Sequence, residues 1–200
     1  MENSDFRPCL PKKLYDQIEE DVVKLYLELE LSVPIKPSRV AERLGYIVKK
    51  YSESEFDEQQ LTELRTGKDG SRRDGLSHYD PNKKTYVIWV NDIDSINVER
   101  EEFTIMHEIG HIRRGHKTDS QLAEMEANYY AAYALVPSPL PRIHNWSSFL
   151  DIIDIFEVSQ DCAFYSARRC MNWENYSGKI KKYEQELITY YRKRLADDGN

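Results

Sequence analysis

Three cysteines in 200 residues, Cys9, Cys162 and Cys170, are odd in number and lack C-x-x-C spacing. Neither a disulfide framework nor a thiolate metal cluster is expected from them. They read instead as small buried or half-exposed thiols in a reducing compartment. Long apolar runs are missing too, since none approaches the roughly 18 residues of a membrane span. The first residues, Met1-Glu-Asn-Ser-Asp-Phe-Arg-Pro8, have no apolar core of the secretory kind. A cytoplasmic location without a membrane partner is the expectation. Positive charge is in deficit: 28 Lys and Arg stand against 35 Asp and Glu, a formal net charge of −7. That argues against a broad basic surface for nucleic acid, while leaving a small local contact open. No internal repeat is visible.

What is present is an ordinary globular composition, 40% hydrophobic and 32% charged, long enough for one core with a smaller appended piece. Leu14, Ile18, Val22, Leu25 and Leu29 recur at three- and four-residue steps and predict a helix over 11–31. Pro34 and Pro37 interrupt it, and Ser38 is placed to cap a short helix over 39–44, ended by Gly45. Residues 46–51 read as a strand, and 52–75 as a polar, mobile excursion with a helical turn or two near 59–64. Leu76–Tyr79 and Thr85–Val90 read as antiparallel strands joined by turn-forming Asp80-Pro-Asn-Lys-Lys84. Helices over about 98–114 and 119–135 follow, separated near Gly115 and stopped by Pro137, Pro139 and Pro141. Two or three more helices complete the tail. The order predicts an α+β fold: a domain over 1–140 with a small antiparallel sheet and a helix pair, then a helical region over 141–200.

The chemistry concentrates in Met106-His107-Glu108-Ile109-Gly110-His111. Two histidines four residues apart share one helix face, so both imidazoles can reach one zinc ion at about 2.0–2.1 Å. Glu108, beside the first, is placed to take a proton from an attacking water. Ile105, Ile109 and Ile112 gather on another side of the same helix, which gives it a core face and a cleft face. A catalytic zinc needs a third protein ligand. Glu126 falls in the middle of the stripe Leu122, Met125, Tyr129 and Tyr133, where a carboxylate is costly unless a cation compensates it. It is the expected ligand, with Asp119 and Glu124 in reserve. His116 is off register for a third histidine ligand; it either sits beside the ligands or caps the helix C-terminus. His78 and His144 have no partner spacing and read as structural.

The stretches Arg100-Glu-Glu-Phe103-Thr104-Ile-Met-His107-Glu108-Ile-Gly110-His111 and Glu124-Met-Glu126-Ala127-Asn128-Tyr-Tyr-Ala-Ala-Tyr-Ala-Leu-Val-Pro137 resemble the ImmA/IrrE metallopeptidases. They match that family's R-x-x-F-T-x-x-H-E-x-G-H and E-x-E-A-N-x-x-A-x-x-L-x-x-P patterns. Weaker likeness extends to Val40-Ala-Glu-Arg-Leu-Gly45 and to Phe156-Glu-Val158-Ser159. Met106, Ile109 and Val136 depart from the family's common Ala, Leu and Met, and none of them is a ligand position. The resemblance implies a zincin-like α+β fold, intracellular action, and one zinc held by His107, His111 and Glu126 with Glu108 as catalytic base. It also implies a partner: a repressor with a helix-turn-helix domain, often of phage or mobile-element origin, which such enzymes cleave or inactivate.

An edge strand at Thr85–Val90 is expected to pair with an extended substrate, and Tyr129 or Tyr130 is a candidate donor to the oxyanion. The rival reading is a DNA- or protein-binding regulator with a mainly structural zinc. Residues 150–169 have the flavour of a helix-turn-helix, with Ser159 capping its second helix and Arg168-Arg169 upon it; the competing account is a helical hairpin packed on the catalytic domain. The basic stretches at 179–182 and 192–194, interleaved with Glu184 and Glu186, read as the solvated face of a last helix. Substrate identity, activating signal and oligomeric state are not legible.

Overall fold

The computed structural model describes residues 9–67, 70, 72–94, 97–118, 120–176 and 178–198. The apolar periodicity near the start folds α1, Lys12–Glu28, which buries Ile18, Val22, Val23, Leu25 and Tyr26. Helix α2, Pro37–Arg43, begins earlier than Ser38. Pro37 occupies its first turn, where a missing N–H costs nothing. The Ser38 N–H and hydroxyl both donate to Glu102, at 2.9 and 2.7 Å, which ties α2 to a later helix rather than capping its own.

Strands β1 (Ile47–Lys50), β2 (Gly75–Asp80) and β3 (Thr85–Val90) form a sheet in the order β1-β3-β2. β2 and β3 are antiparallel as expected, but β1 joins β3 in parallel, so the sheet is mixed. The expected edge strand is the central one. Tyr86-Val-Ile-Trp-Val90 is apolar throughout, as suits a strand flanked on both sides. Ser77, His78 and Asp80 on β2 suit an edge. Between β1 and β2 the polar excursion contains α3, Glu58–Arg65, started by an Asp57–Gln60 capping box. Residues 68, 69 and 71 of that excursion lie outside the described residues.

Helices α4 (Val98–Arg114) and α5 (Gln121–Leu135) follow. Asn97 caps α4 by accepting from the Arg100 N–H, and Gly115 ends it at φ +68°, the left-handed conformation glycine adopts without strain. Ser120 caps α5 by accepting from the Ala123 N–H at 3.1 Å. The two helices pack closely because one face of α5 presents Ala123, Ala127, Ala131 and Ala134, and because α4 brings Gly110 against the Tyr130 ring. A Cβ at Gly110 would sit 3.0–3.2 Å from the Cβ, Cγ and Cδ1 atoms of Tyr130.

Helices α6 (Leu140–Ile143), α7 (Phe149–Phe156), α8 (Gln160–Tyr176) and α9 (Lys182–Asp198) complete the chain. Among them Ile152, Phe156, Ala163, Leu187 and Tyr191 share one hydrophobic cluster with α1, β3, α4 and α5. A buried carboxylate knots the layers: Glu19 on α1 accepts from the Tyr129 hydroxyl, the Tyr183 hydroxyl and the Lys181 ammonium, each at 2.7 Å. Arg169 turns inward, donating to the Ala132 carbonyl at 3.0 Å and to that of Val136, while lying over the Tyr129 and Tyr133 rings. It thus caps the C-terminus of α5 and docks α8. Of the Arg168-Arg169 pair, only Arg168 faces solvent.

Cys162 and Cys170 are buried and Cys9 is exposed. Burial pushes both buried thiols up, Cys170 to about 11, which suppresses the reactive thiolate. His144 lies against the Phe156 and Tyr191 rings, where burial lowers its pKa. Such a setting is structural.

Gly75 opens β2 close beside α4. A Cβ there would meet Thr104 Cγ2 at 2.6 Å and the Trp89 carbonyl oxygen at 2.8 Å. Gly75→Ala is expected to force β2 away from α4 at a cost of about 1–3 kcal/mol. A urea titration should show a lower midpoint with an unchanged slope; an unchanged midpoint would mean the contact is slack.

Candidate metal centre

Helix α4 carries His107 and His111 one turn apart, and their Nε2 atoms face each other at 2.9 Å. The carboxylate of Glu124, on α5, completes a triangle: its oxygens lie 3.3 Å from His107 Nε2 and 3.4 Å from His111 Nε2. Two donors of a tetrahedral zinc, each about 2.0–2.1 Å from the ion, stand about 3.3 Å apart. The two carboxylate distances lie near that value and the imidazole pair stands somewhat closer, so these groups can gather around one such cation. The imidazoles hold the Glu124 carboxyl well below the ordinary carboxylate range, His107 foremost. This side chain is 48% exposed, so the centre sits at the mouth of a cleft where solvent can reach it.

Glu126, the expected ligand, is not among them. It is buried at 7% exposure, and its carboxylate accepts from Arg114 Nε at 2.8 Å and lies 3.7 Å from His116 Nε2. The cost of burying it is offset by this ion pair rather than by a metal. The physical reason lies in the packing of α5. Residues 123, 126, 127, 130 and 134 form the row that beds against α4, whereas 124 and 128 share the face turned to the histidines. Asp119, the other reserve candidate, lies outside the described residues.

The surroundings orient the imidazoles. Asn128, one turn after Glu124, places Oδ1 3.0 Å from His107 Nδ1. If Nδ1 carries the proton and donates, Nε2 presents its lone pair to the centre. His111 Nδ1 stands 3.0 Å from His116 Nδ1, so His116 sits beside the imidazole pair. Burial and the neighbouring His111 lower the His116 pKa, favouring a neutral ring able to accept the His111 proton. A continuous chain, His111 to His116 to Glu126 to Arg114, therefore runs behind the centre. Glu126 belongs to that support. Asn128→Leu is expected to weaken metal affinity about 10–100-fold, measurable by chelator competition; an unaltered affinity would leave Asn128 without a part in the centre.

Glu108 is 6% exposed and borders the cleft. One oxygen accepts from the Ser77 hydroxyl at 2.7 Å, which holds the carboxylate beside the His pair. Ser77 lies on β2, the edge strand, whose first residues line the cleft opposite α4. The Asn91 N–H donates to the Asp74 carbonyl at 2.8 Å. Antiparallel alternation then turns the peptide groups of Gly75 and Ser77 outward, to the open edge. Arg100 clamps the start of this strand, donating to Asp74 at 2.7 and 3.2 Å. The cleft encloses about 920 Å³ between β2, α4 and α5. Neither candidate oxyanion donor reaches it: the Tyr129 hydroxyl is spent on Glu19, and Tyr130 lies beneath Gly110. His78 is exposed on β2, apart from the imidazole pair.

Sequence reasoning missed Asn128, Ser77 and Gly75. Asn128 had a readable signal, the four-residue step from Glu124. Ser77 and Gly75 had none, because only the sheet's placement brings them to Glu108.

A helix with two facing imidazoles, a second helix offering a carboxylate and a small sheet whose edge borders the cleft together define a zincin-like metallopeptidase domain. Residues 59–145 match the profile of the Peptidase M78 family, the IrrE N-terminal-like domain. This stretch, which holds β2, β3, α4 and α5, is similar to that family, and the likeness points to a function of the metallopeptidase type. No curated protein matches the chain. Among the described residues no helix is long and apolar enough to cross a membrane.

Proposed function

We propose that the chain is a zinc-dependent endopeptidase whose metal is held by His107, His111 and Glu124 and whose general base is Glu108. The observation that carries the reading is the convergence of two imidazoles and a carboxylate beside a second, separately held carboxylate. A closed structural zinc has no use for that second group. Two imidazoles and one carboxylate suit zinc among the common divalent ions. Zinc held there supplies Lewis acidity, which polarises the scissile carbonyl and lowers the pKa of water toward about 7.

The chain's own groups do the rest. Glu108 accepts the proton of the attacking water and returns it to the departing amine, so the carboxylate ends the cycle as it began. Ser77 holds Glu108 in line by its hydroxyl. Asn128 and His116 keep the imidazoles turned toward the centre. The open edge of β2, rather than the central β3, receives an extended substrate by strand addition.

For the substrate, the resemblance to ImmA/IrrE proteins supports a helix-turn-helix repressor cleaved in the cytoplasm. The experiment is to load the full chain with zinc, incubate it with helix-turn-helix repressors from the same genome, and read fragments by mass spectrometry. Cleavage abolished by chelation and restored by zinc is the expected result. Cleavage that persists in chelator would overturn the zinc-dependent reading.

A further inference from the structure

A second cavity of about 1020 Å³ opens beside the catalytic cleft. The two share Asp74, Phe103, Thr104 and Asn128 as a common rim. The second cavity is therefore continuous with the site. Its walls come from distant parts of the chain: Leu10 and Tyr15 near the start, Met125 and Tyr129 on α5, Cys162 and Tyr165 on α8. The α8 wall is held firmly, since Arg169 anchors that helix to the α5 carbonyls. Three of the carboxylates bordering the cavity are already compensated, and Asp161, exposed at the start of α8, is the fourth. Asp16 and Glu19 pair with Lys181, and Asp74 pairs with Arg100. What remains for an occupant is mainly apolar surface, with Asp161, Arg168 and Asn172 of α8 at its border, and Tyr165 on it is 55% exposed.

This arrangement gives the α7–α8 hairpin a task. The exposed face of α8 carries Phe164, Tyr165 and Met171 with Arg168 as its outward-facing arginine, which suits an apolar chain better than a phosphate backbone. The orientation of an occupant follows from β2. An extended chain pairing antiparallel with β2, the slightly more stable mode, runs toward Asp74 as it proceeds to its own C-terminus. Past Asp74 it enters the second cavity.

We propose that this groove, walled by α5 and α8, binds the substrate residues that follow the scissile bond and selects a large apolar side chain among them. The inference rests on the peptidase reading and adds the substrate class to it. The C-terminal hairpin is thus a specificity element, built from a segment outside the stretch that matches the family.

The test uses the full-length zinc-loaded protein and a randomised peptide library. Leu, Phe, Met or Tyr should be enriched about 10-fold over Ala within about three positions after the cleaved bond. For the best peptide, Tyr165→Ala and Met125→Ala should raise KM about 10-fold and change kcat about 2-fold or less, the signature of lost binding. A readout without turnover separates the two claims. Glu108→Gln protein should bind the same peptide by fluorescence anisotropy, and adding Tyr165→Ala should weaken that binding about 10-fold. A flat profile after the scissile bond, with Tyr165→Ala binding normally, overturns the groove and leaves the peptidase standing. Apolar-selective binding by Glu108→Gln without any cleavage by the zinc-loaded wild type overturns the peptidase reading but supports the groove's selectivity. Concentration-dependent dimerisation that Tyr165→Ala abolishes would make the groove an interface between copies, and also overturns the proposal.

Discussion

Glu124→Ala is expected to empty the metal centre, whereas Glu126→Ala should leave it loaded but weaken the fold. Glu124 is one of three groups whose donor atoms lie 2.9–3.4 Å apart, and its loss leaves two imidazoles alone. The drop in affinity should exceed the roughly 10–100-fold that losing an outer partner costs. Glu126 stands one step further out. Its removal strands the Arg114 guanidinium, which it meets at 2.8 Å, in a largely buried setting. Breaking such a pair costs about 3–5 kcal/mol, while its reach to the metal, through His116 and His111, is at most that of an outer partner. Zinc content after dialysis against a weak chelator, set beside a urea midpoint, separates the two. Should Glu126→Ala lose its zinc and Glu124→Ala keep it, the assignment reverses.

Glu108→Gln should cost activity and little else. The amide oxygen can still accept from the Ser77 hydroxyl, so the side chain keeps its place beside the histidines. It cannot accept a proton from the attacking water. Hydrolysis is expected to fall by about 10²–10⁴-fold, the range of a lost general base, with zinc content and stability close to wild type. Ser77→Ala serves as the graded control, because it loosens the carboxylate without removing it and should cost less. Steady-state hydrolysis and metal analysis on the same preparations give the answer; a Glu108→Gln protein that cleaves at the wild-type rate would remove Glu108 from the mechanism.

The two glutamates of α5 show where reading the sequence stopped. Leu122, Met125, Tyr129 and Tyr133 look like a core stripe because they are large and apolar. Yet Leu122 is 48% exposed, and the row bedded against α4 is built of Ala123, Glu126, Ala127, Tyr130 and Ala134. Small residues mark a close helix crossing, and hydrophobicity alone undervalues them. The expectation also placed a buried carboxylate on the metal. The carboxylate that meets the imidazoles stands at the cleft mouth, and the deeply buried one is paired with a guanidinium. The sheet shows the same limit. Strand positions were legible from their alternation and turns, but β1 lies parallel to β3, and the open edge belongs to β2. Strand order depends on which segments meet across the chain, which local pattern does not encode.

By itself the sequence determined the helix that carries the imidazoles, the carboxylate beside them, the α+β class and the short list of acidic candidates. These are matters of spacing, and one helical turn sets them without reference to the rest of the chain. Tertiary structure alone decided which carboxylate meets the histidines, which strand edge opens to the cleft, and that α8 walls a groove leading from it. Each of those depends on how one element is rotated and seated against another, a balance of packing among residues far apart in the chain.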